Sequence, residues 1–167
     1  MDNEKVYLAF GSNVGNKEEN IKTALKYLDA NGVKLEIMSP LYETKPLEYE
    51  EQDDFLNCVG AFQTNLSPFK LLRLIKQIEK RMGRENTVEK GPRIIDIDII
   101  FYKRVYTYTF NLQIPHPSYK ERAFVLVPLN NLIPEYVPVN EIVCIEQLLS
   151  SCVDKKSNPV KIETKIG

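Results

Sequence analysis

The chain has 167 residues, 43% of them hydrophobic and 27% charged, which is enough for one well-formed core and short for two domains. With 22 basic and 23 acidic residues the net charge is −1, which excludes the global basic field of a nucleic-acid binder, and no acidic tail is present. The three cysteines, at 58, 144 and 152, make neither a disulfide framework nor a C-x-x-C metal pair and fit a reducing cytoplasm.

The opening Met1-Asp2-Asn3-Glu4-Lys5 is too acidic for a signal peptide, and no apolar run approaches membrane-spanning length, so an intracellular protein is expected. Residues 6–10 then read as a buried strand ending in Gly11-Ser12-Asn13-Val14-Gly15-Asn16, a turn of residues that tolerate unusual backbone angles. Asn16 and Glu19 form a candidate capping box. Ile21, Ala24, Leu25 and Leu28 follow at helical spacing until Asn31-Gly32 stops the helix. The turn offers amides to phosphate but lacks the Lys-Ser/Thr of a P-loop and the third glycine of a dinucleotide fingerprint, so alone it reads as a turn.

Residues 33–42 form a second extended segment in which Pro40 marks an edge or a bulge. Residues 44–54, TKPLEYEEQDD, have neither period nor glycine and read as a loop of functional length. Residues 55–64 alternate as a third strand. Ser67 caps and Pro68 opens a second helix, with Leu71 or Leu72, Ile75, Ile78 and Met82 as its buried stripe and Gly83 as its stop. Lys76 and Glu79 are neighbours on its polar side. A polar loop, 84–90, comes next.

That loop leads into Gly91-Pro92-Arg93-Ile94-Ile95-Asp96-Ile97-Asp98-Ile99-Ile100-Phe101-Tyr102. Its β-branched residues predict a strand, and alternation places Asp96 and Asp98 on one side and Ile95, Ile97 and Ile99 on the other. Two carboxylates roughly 6–7 Å apart along a strand repel, and Ile94 and Ile100 on the same face add desolvation unless a cation accompanies the pair. A strand with one solvated face also shows Asp at every second position; against that, Arg93 supplies a cation immediately before the pair. Carboxylates with no nearby His or Cys suit a hard ion such as Mg²⁺, whose shell is completed by water and substrate phosphates, and so point to phosphoryl transfer.

The order β-α-β-β-α-β predicts an α+β, ferredoxin-like sandwich, an antiparallel sheet with both helices on one face. Additional C-terminal elements are expected: a short hairpin over 104–110, a rigid kink at Pro115-His116-Pro117, an apolar segment of undecided type over 122–129, and a helix over 140–149. Residues from Asp154 on are polar and read as loosely held, with Val160-Lys161-Ile162 as a possible edge strand. One domain, 1–167, is expected.

Several blocks in this order resemble the 6-hydroxymethyl-7,8-dihydropterin pyrophosphokinases. They are F-G-S-N-V-G-N at 10–16, Y-E-T-K-P at 42–46, Q-D-D-F-L-N at 52–57, I-E-x-x-x-G-R at 78–84, G-P-R-I-I-D-I-D-I-I at 91–100 and P-H-P-x-x-x-x-R-A-F-V-L-x-P-L at 115–129. The resemblance implies an enzyme of folate biosynthesis that moves the terminal diphosphate of ATP onto the hydroxymethyl group of a reduced pterin, releasing AMP. By that match Asp96 and Asp98 bridge two Mg²⁺ ions that arrive with ATP, and Arg84 and Arg93 contact the phosphates as catalytic groups. His116 and Arg122 grip the triphosphate, and Glu79 sits where its helix faces the nucleotide. Phe55 and Phe124 stack on the pterin, while Asn57, Thr44 and Leu47 read its edge; Tyr42 and Asn13 rank second. Without the resemblance, the two phenylalanines are ordinary core residues, His116 is structural and Arg84 is a solvated cation at a helix end. Two departures stand out: Lys90 where many members carry tryptophan, and Lys45 where proline is common.

The expected partners are thus ATP and the pterin, with no nucleic acid, membrane or protein partner. An RNA-recognition sheet shares this element order, but aspartates on its strand repel a phosphate backbone. A non-catalytic regulatory domain leaves the arginines and aspartates unexplained.

Overall fold

In the computed structural model, which describes residues 2–83, 91–164 and 166, the alternating runs pair into one antiparallel sheet. Its strands are β1 (Val6–Ser12), β2 (Val33–Met38), β3 (Tyr42–Thr44), β4 (Phe55–Thr64), β5 (Asp96–Tyr102) and β8 (Val160–Lys161), and a separate hairpin pairs β6 (Thr107–Tyr108) with β7 (Gln113–Ile114). The spatial order is β5-β1-β4-β3-β8, with β2 beside β4 on the same edge as β3. The predicted extended segment 33–42 is therefore one strand broken in two. At the break Ser39 replaces the regular ladder: its N–H donates to Val59 O at 2.8 Å and its Oγ accepts from Val59 N at 3.0 Å. Pro40, which has no N–H to give, follows at once.

Helices α1 (Lys17–Ala30) and α2 (Pro68–Arg81) connect these strands. Asn16 caps α1 by accepting from Glu19 N at 3.1 Å, and Ser67 caps α2 by accepting from Lys70 N at 3.3 Å. Just past their ends Gly32 and Gly83 take φ of 81° and 89°, a region that side chains with a Cβ disfavour. Both helices lie on one face, where Ile21, Leu28, Leu71 and Ile75 meet Leu8, Phe10, Phe62, Ile97 and Ile99 in a continuous apolar cluster. Each such side chain stabilises the fold by about 1.5–3 kcal/mol relative to exposure. This is the ferredoxin-like sandwich.

The opposite face is covered in part by α3 (Ala123–Leu132) and α4 (Ile145–Ser150). The segment of undecided type is thus a helix, and it tolerates Pro128 because its apolar sides pack Val125, Leu126 and Leu129 against Tyr7, Val59, Ala61 and Ile100. A bulge makes this second core possible. Leu8 pairs with Ile99 but Tyr7 pairs with Phe101, so Ile100 is an extra residue, and both Ile100 and Phe101 join the α3 side.

Three C-terminal expectations change. The hairpin falls at 107–114, not 104–110, because the turn is closed by Thr109, whose Oγ1 accepts from Leu112 N at 3.0 Å. The predicted helix 140–149 begins only at Ile145: Asn140 has φ of 66°, and Cys144 N instead donates to Gln147 Oε1 at 2.9 Å. The tail from Asp154 is not loose, since β8 pairs with β3 and Ile162 N donates to Leu41 O at 3.0 Å. Among the described residues no helix is long and apolar enough to cross a membrane.

Candidate functional site

Small residues on β1 open a cleft in the face that α3 leaves bare. Gly11 lies opposite Asp96 on one side and Asn57 on the other, and Ala9 lies opposite Asp98 and Val59. With Ala9 and Gly11 at its centre, the floor is a trough flanked by carboxylates on β5 and an amide on β4. One wall is the segment Thr44, Lys45, Pro46, Leu47 and Glu48 with Phe55; the facing wall is Arg122, Phe124 and Val125 at the start of α3, and Arg93 completes the rim. Thr44, Leu47, Phe55, Asn57, Arg93, Asp96, Asp98, Arg122 and Phe124, expected from the sequence, all line this one cleft.

Asp96 and Asp98 share a face, as alternation demands. Arg93 Nη1 donates to Asp96 Oδ2 at 2.9 Å. Burial and then the neighbouring Asp96 charge push the Asp98 carboxyl up to about 7, against the pull of Arg122. A cation at this place would offset both effects, because an opposite charge favours the ionised carboxylate. Among the described residues no cluster of three or more His, Cys, Asp or Glu side chains surrounds one point. The aspartate pair therefore fits a hard ion that keeps waters and takes its other ligands from phosphate oxygens.

His116 stands beside this pair, outside the cleft lining. Its backbone N–H donates to the bulge carbonyl of Ile100 at 3.0 Å, and its Nδ1 accepts from Ser118 N at 3.1 Å. Burial, then the Arg122 charge, lower its pKa to about 4, so the ring is neutral near pH 7. Accepting at Nδ1 places the ring proton on Nε2, which is 3.8 Å from Asp98 Oδ2. That leaves a donor beside the Asp98 carboxylate.

Glu79 differs from its expected place. It is 1% exposed, and its Oε2 accepts from Ile97 N at 3.2 Å, tying α2 to the aspartate strand from behind rather than lining the cleft. Lys76, at 3.3 Å from Glu79 Oε1, reaches solvent. Arg84 and Lys90 lie outside the described residues. Tyr42 is buried and does not line the cleft.

Asn13 carries more than its sequence rank suggested. Its N–H donates to Arg93 O at 3.0 Å and its Oδ1 accepts from Arg93 N at 2.8 Å. Its Nδ2 donates to Gln52 Oε1 at 2.8 Å and Asp53 O at 3.0 Å. Three loops thus meet on one side chain, which is 2% exposed.

Gly11 escaped sequence reasoning beyond its membership of a turn. A Cβ there lies 2.8 Å from Asn57 Oδ1, and Asn57 is held by its Nδ2 donating to Thr44 Oγ1 at 2.6 Å. Gly11→Ala must therefore break the Asn57–Thr44 bond or shift β1. We expect a loss of about 1–3 kcal/mol of stability in denaturant unfolding; Gly15→Ala meets no atom within 4 Å and leaves this bond intact, its own strain coming from the φ of 69°.

A ferredoxin-like α+β protein with a carboxylate pair, two arginines and two phenylalanines around one cleft is the class that fold and site define. Residues 7–134 match the family model of 7,8-dihydro-6-hydroxymethylpterin-pyrophosphokinase, and the chain belongs to that family. It is 42% identical over 128 residues to a 2-amino-4-hydroxy-6-hydroxymethyldihydropteridine pyrophosphokinase of Bacillus subtilis, covering 76% of this chain and 77% of that one. It is 47% identical over 135 residues to the folic acid synthesis protein FOL1 of Dictyostelium discoideum, covering 81% of this chain but 20% of that protein. The chain spans about a fifth of the length of such FOL1-type relatives. In fold it is similar to the Plasmodium falciparum HPPK-DHPS wild type solved with pteroate, with a TM-score of 0.71, 20% identity, and coverage of 87% of this chain and 42% of that one.

Proposed function

We propose that the chain transfers the terminal diphosphate of ATP to the hydroxymethyl group of 6-hydroxymethyl-7,8-dihydropterin, releasing AMP, as a step of folate biosynthesis carried by the single domain 1–167. The observation that carries this reading is the meeting of two chemistries in one cleft. Asp96, Asp98, Arg93 and Arg122 line the same cleft as Phe55, Phe124, Asn57 and Thr44. A flat heterocycle with a donor and acceptor edge suits the second set: aromatic faces for stacking, and an amide oriented by Thr44 for edge recognition.

The first set suits a triphosphate. Asp96 and Asp98 would hold Mg²⁺, two ions arriving with the nucleotide, which supply neutralisation of the phosphate charge when bound. Arg93 and Arg122 contribute guanidinium forks to phosphate oxygens, and the neutral His116 donates from Nε2. Arg84 joins the phosphate-contacting set by sequence match alone. No described side chain is placed as a strong general base; the residues act by positioning the alcohol against the β-phosphorus and by excluding water.

The deciding experiment mixes the protein with ATP, Mg²⁺ and the hydroxymethyl pterin and follows nucleotide products. AMP formed only when the pterin is present is the expected result. ADP formation, or no pterin dependence, overturns the reading.

A further inference from the structure

Helix α3 carries Arg122 and Phe124 into the cleft, yet Arg122 at its N-cap makes no side-chain capping bond. The first helical amide, Ala123 N, donates instead to Asp154 Oδ2 at 2.9 Å, from 31 residues further along the chain. Asp154 also organises the turn that follows it. Its Oδ1 accepts from Lys156 N and Ser157 N, both at 3.0 Å, and its Oδ2 accepts from the Ser157 hydroxyl. Four donors thus converge on one carboxylate. Burial alone would raise its pKa, but the bonds from Ser157, Ala123 and Lys156 outweigh it and hold the carboxyl below its ordinary value.

The same turn reaches the opposite wall. Ser157, fully buried, accepts from Lys45 N at 2.7 Å through its carbonyl. Lys156 Nζ donates to Leu47 O at 2.8 Å and pairs with Glu50. Lys45 and Leu47 line the cleft across from Phe124. A four-residue segment beyond the family-matched region 7–134 therefore touches both walls of the cleft.

We propose that Asp154 is a positioning residue, and the 154–157 turn a strut, that sets the spacing between Phe124 and the 44–48 segment and so the width of the slot that receives a flat heterocycle. The identity of that heterocycle rests on the function proposed above; the strut itself does not. The 44–48 segment is anchored by this turn at two points, Lys45 N on Ser157 O and Leu47 O on Lys156 Nζ. Both carboxylate oxygens are in use, so an amide at this position retains one acceptor and loses the other.

The test compares wild type, Asp154→Ala, Asp154→Asn and Lys156→Met by steady-state kinetics and by amide hydrogen exchange over 44–48 and 123–126. Asp154→Ala is expected to raise the KM for the pterin roughly tenfold, the size of a lost helix cap, with a smaller change for ATP. Exchange should accelerate in both segments, and Asp154→Asn should recover part of each effect. Lys156→Met removes one of the two loop ties, the bond to Leu47 O with the Glu50 pair, leaves Lys45 N on Ser157 O, and should raise the pterin KM about threefold. Equal shifts in both KM values and kcat, or an unchanged pterin KM, overturn the proposal. Should Asp154→Ala not fold, Lys156→Met decides: unchanged exchange at 44–48 overturns it. If wild type forms no AMP, the functional reading fails by itself, and exchange alone then decides whether the strut exists.

Discussion

Replacing Asp98 with alanine is expected to lower kcat by about a thousandfold or more at saturating Mg²⁺, the scale of losing a charge-stabilising group at a phosphoryl centre, while leaving the fold intact. The stability side of this prediction has a definite sign. Asp98 has its native pKa raised to about 7, by burial first and by Asp96 second, whereas an unfolded aspartate titrates near 3.9. Between those values the native state binds a proton that the unfolded state has released, so stability falls as pH rises from about 4 to about 7 and levels off above. Asp98→Asn removes that penalty. At pH 8 without divalent cation it should therefore melt above wild type, and the gap should close as pH falls through 7 toward 4. Adding Mg²⁺ at pH 8 should raise the wild-type Tm, by binding the native state alone, and barely move the variant. Full turnover by Asp98→Ala, or an Asn variant that melts below wild type at pH 8, removes the metal assignment.

The aspartate pair was legible because it depends on one local rule, the two-residue period of a strand, and nothing distant disturbs it. Asn16, Ser67, Gly32 and Gly83 were legible for the same reason: caps and stops are local. Glu79 shows where local rules end. Its spacing from Lys76 makes the two neighbours, and they do pair at 3.3 Å, but at 1% exposure its carboxylate also serves the Ile97 amide, a partner 18 residues away that no periodicity encodes. Ala9 and Gly11 failed differently. As small residues in an apolar strand they carry no chemical signal, and their meaning lies in what they omit between Asp96 and Asn57. The Ile100 bulge is invisible in a run of isoleucines, though it turns Phe101 toward α3 and frees the carbonyl that anchors His116. Asp154 looked like part of a loose polar tail because its partner amide belongs to a helix it does not adjoin.

Arg93→Ala is expected to lower kcat about a hundredfold with a much smaller change in the KM for ATP. The side chain and the backbone of this residue are held by different partners. The backbone is fixed by Asn13, which bonds both Arg93 N and Arg93 O at 2.8 and 3.0 Å. The guanidinium is engaged with Asp96 at 2.9 Å on the rim of the cleft. On the proposed function, a cation held by Asp96 would compete for that carboxylate and would free the Arg93 guanidinium for the phosphate charge that builds during transfer. Its contribution then falls mainly on the transition state and hence on kcat. Arg93→Lys should restore only part of the rate, because an ammonium lacks the planar fork that meets two oxygens at once. Asn13→Ala keeps the guanidinium and the bond from Asn13 N to Arg93 O but removes the side-chain acceptor for Arg93 N, and should cost about tenfold in kcat. An Arg93→Ala effect confined to KM, or an Asn13→Ala loss equal to that of Arg93→Ala, means that this arginine binds the ground state or merely closes the loop, and the role passes to Arg122.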